Sequence, residues 1–227
     1  MKFQEFENTM SAARVGRYLA ACGGVTKRTM TLYRANLKLS QDFFTVISCF
    51  EIALRNAIDK HCLSTLGNDW LINGAMPNGI FDNANCRLTS QNINDAVRKL
   101  NTNYAHNKLV AELGFGFWRY MFAQHQYSAA GRTLIRFFPS KPTSTTIMQY
   151  NQTFVFNQLA QINNIRNRIA HHEPICFLPS QPVKSTTYAR QHYSLVLQLF
   201  QWMSIDEAAL LYGLDHINTI CNEIDAL

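Results

Sequence analysis

The chain has 227 residues, 47% of them hydrophobic, and a net charge of +6. That balance excludes a disordered polar chain, and the length suits a single domain, 1–227, with a substantial buried core. No apolar run approaches the roughly 20 residues of a membrane span, and Met1 to Glu7 has no apolar signal core. Both absences point to a cytoplasmic protein without a membrane partner.

Six cysteines at positions 22, 49, 62, 86, 176 and 221 form no C-x-x-C pair and read as reduced thiols. The cations are unevenly placed. From Glu7 to Asp42 there is no acid, while Arg14, Arg17, Lys27, Arg28, Arg34 and Lys38 occur. From Glu112 to Glu173 the acids are missing again, and Arg166 and Arg168 fall inside that interval. Such segments either carry ordinary solvated cations or concentrate a positive field that attracts polyanions, RNA among them.

The predicted elements are nearly all helical. Ser11 to Ala21 carries Val15, Tyr18 and Leu19 on one face and stops at Gly23-Gly24. A second helix is predicted from Thr26 to about Asn36. Ser40 then reads as the N-cap of the longest helix, ending at Gly67, with Phe43, Ile47, Phe50, Leu54 and Ile58 as its buried stripe. On another face Glu51, Arg55 and Asp59 stand at the i,i+4 spacing that lets opposite charges pair.

Gly67 to Arg87 reads as an extended loop pinned by Trp70-Leu71, and Ser90 to Leu100 as a short amphipathic helix. Gly114-Phe115-Gly116-Phe117-Trp118 breaks and restarts the next helical pattern. A helix through Leu134 and Phe138 is predicted to end at Pro139, with a polar loop from Lys141 to Thr146. From about Asn151 to His172 runs a helix with Val155, Leu159, Ile162, Ile165 and Ile169 as its core face and Asn164, Asn167 and His171 as a polar stripe. A loop from Phe177 to Thr187 and helices through Leu195–Met203, Glu207–Leu211 and from Ile217 complete the chain. With no strand pattern and no internal repeat, the fold is predicted to be all-α, an antiparallel helical bundle with loop elaborations.

Ile165-Arg166-Asn167-Arg168-Ile169-Ala170-His171-His172-Glu173-Pro174 is the segment with chemistry in it. Proline disfavours helix at the residue before it, so Glu173 marks the end. Adjacent histidines on a helix point about 100° apart and no further ligands follow at zinc-like spacing, which argues against a metal. No G-x-S-x-G and no phosphate-cradling glycine loop occurs, which argues against a serine hydrolase and an NTPase, and no cofactor is expected. Cys176 lies beyond Pro174 with no orienting partner. Histidine transfers protons near neutrality and arginine stays charged and grips phosphate, a combination able to cleave RNA without metal. Spacing alone is better served by a surface Arg166 and a hydrogen-bonded core His171. His61, after Arg55 and beside Ile58 and Cys62, reads as a packing residue.

Arg166-Asn167, three further residues and His171 resemble the motif of HEPN domains. The chain also resembles the Abi-like family of bacterial abortive-infection proteins. The resemblance rests on Ala12-Ala13-Arg14-x-x-x-Tyr18, Leu32-Tyr33-x-x-Asn36, Phe50-Glu51-Ile52-Ala53-Leu54-Arg55-Asn56, Gly114 to Trp118 and Arg166 to Pro174. It implies a HEPN-like helical core at about 10–175 with a C-terminal helical extension at about 185–227. It further implies an anti-phage or toxin-antitoxin endoribonuclease working as a homodimer, with Arg166 and His171 catalytic. Asn167, His172, Glu51, Arg55 and Asn56 would support the site, and Arg14, Lys27, Arg28 and Arg168 would bind RNA. The alternative from the same residues is a non-catalytic RNA-binding protein that holds a small RNA.

Overall fold

An apolar residue recurs every three or four positions from Leu32 to Cys62, and in the computed structural model, which describes residues 1–227, one unbroken helix carries that whole stripe. This helix, α3 (Thr26–Leu66), buries Leu32, Leu39, Phe43, Ile47, Phe50, Leu54, Ile58 and Cys62 on one face. The predicted break between Asn36 and Ser40 is absent. Asn36 sits in the stripe itself, 3% exposed, where its Oδ1 accepts a hydrogen bond from the Ile175 backbone N–H at 2.9 Å. A polar residue in an apolar stripe imitates a helix end in sequence, but nothing between Asn36 and Ser40 stops the backbone. Ser40 is therefore an interior residue and caps nothing.

The fold is all-α, with twelve α-helices, three short 3₁₀ turns and an isolated antiparallel bridge between Phe177 and Lys184. No helix is long and apolar enough to cross a membrane. Two compact units make up the chain.

The first unit comprises Met1–Ser48, Asn164–Gln198 and Glu207–Leu227. It begins with α1 (Phe3–Met10), which lies ahead of the first predicted helix, carries Phe3, Phe6 and Met10 at helical spacing and buries Phe6 alone. In α2 (Ala12–Ala21) the Ser11 side chain caps the Arg14 N–H. Gly24 closes that helix on the Leu19 carbonyl at 2.9 Å, with φ +60° at Gly23 and +81° at Gly24. Tyr33 packs against Phe6 at 5.2 Å and Tyr18 at 4.9 Å, and Tyr18 meets Phe177 at 5.0 Å, which gathers α1, α2, α3 and the 177 loop around one aromatic cluster. The loop at Phe177 is closed by the Leu178 N–H on the Val183 carbonyl at 2.9 Å. Three further helices, α10 (Thr187–Trp202), α11 (Glu207–Leu210) and α12 (Ile217–Ala226), follow as their periods predict.

The second unit comprises Cys49–Asn163 and Leu199–Asp206. The region predicted as an extended loop holds α4 (Trp70–Ala75), with Trp70 and Leu71 buried as expected. The chain doubles back there so tightly that a Cβ on Gly79 would lie 2.4 Å from the Asn73 carbonyl oxygen, so only glycine fits. After α5 (Arg87–Leu100) come α6 (His106–Glu112), α7 (Phe115–Tyr120) and α8 (Gln124–Ala129). The Gly114–Trp118 segment breaks α6 from α7 and buries Phe115, Phe117 and Trp118. Leu134–Phe137 forms only a 3₁₀ turn where a longer helix is predicted, because Gly131 and Arg132 both take positive φ just before it. Asp59 turns to Trp70 Nε1 at 2.8 Å and His106 Nε2 at 2.7 Å, tying α3 to α4 and α6. Phe50 packs edge-on against Phe200 at 5.2 Å. The last long helix, α9 (Gln152–Ala170), contributes Val155, Leu159 and Ile162 to this unit and its C-terminal end to the first.

Candidate functional site

The end of α9 explains why the motif has its sequence. Asn151 starts the helix, accepting the Phe154 N–H at 3.0 Å. Ile165 and Ile169 are buried, while Asn164, Asn167 and Ala170 face solvent and Arg166 is half-buried. The helix then closes in a Schellman arrangement. The Glu173 N–H donates to the Arg168 carbonyl at 2.8 Å, the His172 N–H donates to the Ile169 carbonyl at 2.9 Å, and His172 takes φ +56°. A left-handed residue at this position is usually glycine, so the chain carries a small conformational cost to keep a histidine there. His171 remains attached to the last turn through its N–H on the Asn167 carbonyl at 2.9 Å, and its side chain is exposed. It is not the core histidine that spacing alone suggested.

Two arginines hold this turn. Arg14 Nη1 donates to the His172 carbonyl at 2.9 Å, from a position 158 residues away. Arg168 Nη2 donates to the Pro174 carbonyl at 2.9 Å, its Nε lies 3.2 Å from a Glu173 carboxylate oxygen, and its guanidinium covers the Tyr188 ring at 4.9 Å. Arg168, expected among the RNA-binding residues, is thus engaged inside the chain, whereas Arg14 uses one N–H of its five-donor fork. Beyond the turn, Ile175 reaches Asn36, so the segment after the motif is fastened to α3.

Behind this exposed end the residues are buried. Cys176 is fully buried, and burial pushes its thiol up to about 12, so it offers no thiolate at neutral pH. His192 Nδ1 lies 2.8 Å from the Tyr188 carbonyl, which makes Nδ1 the protonated nitrogen. Burial lowers the His192 pKa, and the nearby Arg168 guanidinium lowers it further.

The remaining expected site residues lie elsewhere. Lys27 and Arg28 are exposed in the first turn of α3, which has no acid and is already the positive end of the helix dipole. Glu51, Arg55 and Asn56 belong to the second unit; Arg55 Nε is buried there without a hydrogen-bond partner, and Asn56 is exposed. His61 is half-buried rather than part of the apolar stripe, with Nε2 2.7 Å from the Thr133 hydroxyl and a pKa lowered by desolvation and Arg136. Neither the Arg14–His172 nor the Asn36–Ile175 link has a local sequence signal, because each joins segments more than a hundred positions apart.

The chain is thus all-α, with Arg166 and an exposed His171 at a helix end that Arg14 and Arg168 hold. The family model for the Abi-like protein matches residues 3–176, and the chain belongs to that family, whose name marks an association with abortive infection. No curated protein and no solved structure matches the chain.

Proposed function

We propose that this chain is a metal-independent endoribonuclease of the abortive-infection type, with Arg166 and His171 as its catalytic residues. The observation that carries the proposal is the exposed His171, held just past the last turn of α9, with Arg166 five positions before it on the same helix end. In this reading the RNA 2′-OH attacks the adjacent phosphate and leaves a 2′,3′-cyclic phosphate and a 5′-OH. His171 transfers a proton to or from the reacting oxygens, and the Arg166 guanidinium offsets the charge on the pentavalent phosphorus. Exposed Lys27 and Arg28 at the start of α3 supply cations for the RNA backbone. Because one chain contributes one Arg–His set, a two-fold homodimer would assemble two sets into a composite site.

The test incubates the purified protein with labelled single-stranded RNA and single-stranded DNA, with and without EDTA. RNA is expected to be cut in both conditions and DNA to be spared, since it lacks the attacking hydroxyl. Arg166→Ala and His171→Ala should remove cleavage while leaving RNA binding. If the wild type binds RNA but never cuts it, a non-catalytic RNA-holding role replaces the enzymatic one. Light scattering that finds only monomer would remove the composite site.

A further inference from the structure

Gly114 and Gly116 begin a helix, and glycine weakens a helix relative to alanine. Gly114 serves as the N-cap of α7, a position that suits glycine, but Gly116 in the first turn has no reason inside its own chain. Gly114 has φ −78° and ψ 172°, open to any residue, and a Cβ built on either glycine meets nothing within 4 Å. A glycine that neither backbone nor packing requires leaves room for close approach by another group.

Open space lies next to Gly116. Two adjoining cavities of about 380 and 410 Å³ share Asn92, Gly116 and Phe117, forming a groove between α5 and α7 in the second unit. Each is within the range of small-molecule sites. The deeper part is lined by aromatic and amide groups. Tyr120 is 50% exposed, yet its ring is braced edge-on by Phe156 at 5.6 Å, and the Arg119 guanidinium lies over both rings, 4.2 Å from the Phe156 centroid and 5.3 Å from that of Tyr120. Gln126 is 7% exposed and held in one orientation. Its Nε2 donates to the Thr89 hydroxyl at 3.0 Å and to the Asn85 carbonyl at 3.4 Å. A carbonyl only accepts, so the nitrogen must lie on that side and Oε1 is the amide atom left to accept from a ligand. Charges at the other end are paired with each other, Lys99 with Glu112 and Arg98 with Asp95. An aromatic ring braced by Phe156 and Arg119, the fixed Gln126 amide and salt-bridged charges at the far end suit a flat, hydrogen-bonding ring.

We propose that this groove binds an unpaired nucleobase of RNA, stacked on Tyr120 and read by Gln126 and Asn92, with Gly116 letting the ring reach the backbone. The assignment rests on the proposal that RNA is the substrate, and the groove uses none of the residues assigned to cleavage. Stacking with amide contacts at base edges is the mode by which single-stranded RNA is commonly held.

The probe is a short fluorescein-labelled 2′-fluoro oligonucleotide of mixed sequence, which carries bases but no attacking hydroxyl, compared by anisotropy with an abasic oligomer of equal length. The wild type should bind the base-bearing probe about tenfold more tightly. Gly116→Leu puts a good helix former where a Cβ has room, so its melting temperature should hold while the preference disappears. Tyr120→Ser should also remove the preference. Equal binding of both probes by the wild type, or a preference that survives Gly116→Leu, overturns the proposal. So does a change in oligomeric state on Gly116→Leu with the preference intact, which would make the groove an interface between copies. A cleavage assay with natural RNA separates the two proposals. Cutting without base preference removes the groove assignment alone, and base preference without cutting removes the ribonuclease assignment alone.

Discussion

The Ile175 backbone N–H donates to Asn36 Oδ1 at 2.9 Å, joining two buried groups 139 positions apart. Asn36→Ala would leave that N–H buried and unpaired, at a cost of about 1–3 kcal/mol. Urea unfolding should show a clearly lower midpoint for Asn36→Ala and almost none of that loss for Asn56→Ala, whose side chain is exposed. Equal midpoints for the two variants would contradict a structural role for Asn36.

Arg14 fixes the His172 carbonyl and with it the turn that carries His171. Arg14→Ala should therefore reduce cleavage by roughly 10- to 100-fold, since small displacements of a reacting group are expensive. The loss should fall on kcat more than KM, with little change in melting temperature because Arg14 is exposed. A variant that cuts at the wild-type rate would show that the anchor is dispensable.

Arg168 and the pair Lys27 and Arg28 should behave oppositely. Arg168 is held by Glu173, Pro174 and Tyr188, so Arg168→Ala should lower the melting temperature and leave the salt dependence of RNA binding unchanged. Lys27→Ala with Arg28→Ala should leave the melting temperature alone and reduce the log–log salt slope by about one for each phosphate that is no longer neutralised. Titrating RNA at several salt concentrations gives both slopes. A reduced slope for Arg168→Ala would return that residue to the RNA-binding surface.

Stability should fall on the acid side of neutrality. Burial lowers the pKa of both His192 and His61 below the ordinary 6.5. Between the lowered folded values and 6.5 the unfolded chain holds more protons than the folded one. Their contribution is thus complete above 6.5 and is lost as the pH falls through 6.5 towards the folded values. Melting temperatures recorded from about pH 8 down to about pH 5 should decline in that window, and the decline should be shallower in His192→Asn. A flat profile in the wild type would sink this account.

The sequence-derived elements differ from the structure where local composition imitates a break. Asn36 interrupts an apolar stripe and suggests a helix end, yet its partner is Ile175. Ser40 has the composition of a cap and the surroundings of a helix interior. The 67–87 region has loop composition, but Trp70, Leu71 and Phe81 bury enough surface to fold it around Gly79. At Asn36 a distant segment accounts for the residue, whereas at 67–87 the region's own apolar residues outweigh its loop composition.

What the sequence determined alone was the helical class, the buried faces of α3 and α9, and an arginine and a histidine at the end of a helix before Pro174. Those follow from neighbours three and four positions apart, and such spacing is written directly in the chain. Only the tertiary structure decided that α3 is continuous, that His171 is exposed, that Arg168 is engaged internally, and that Arg14 holds the His172 turn. A hydrogen bond across 158 positions has no period to reveal it, because its geometry exists only after the helices have packed.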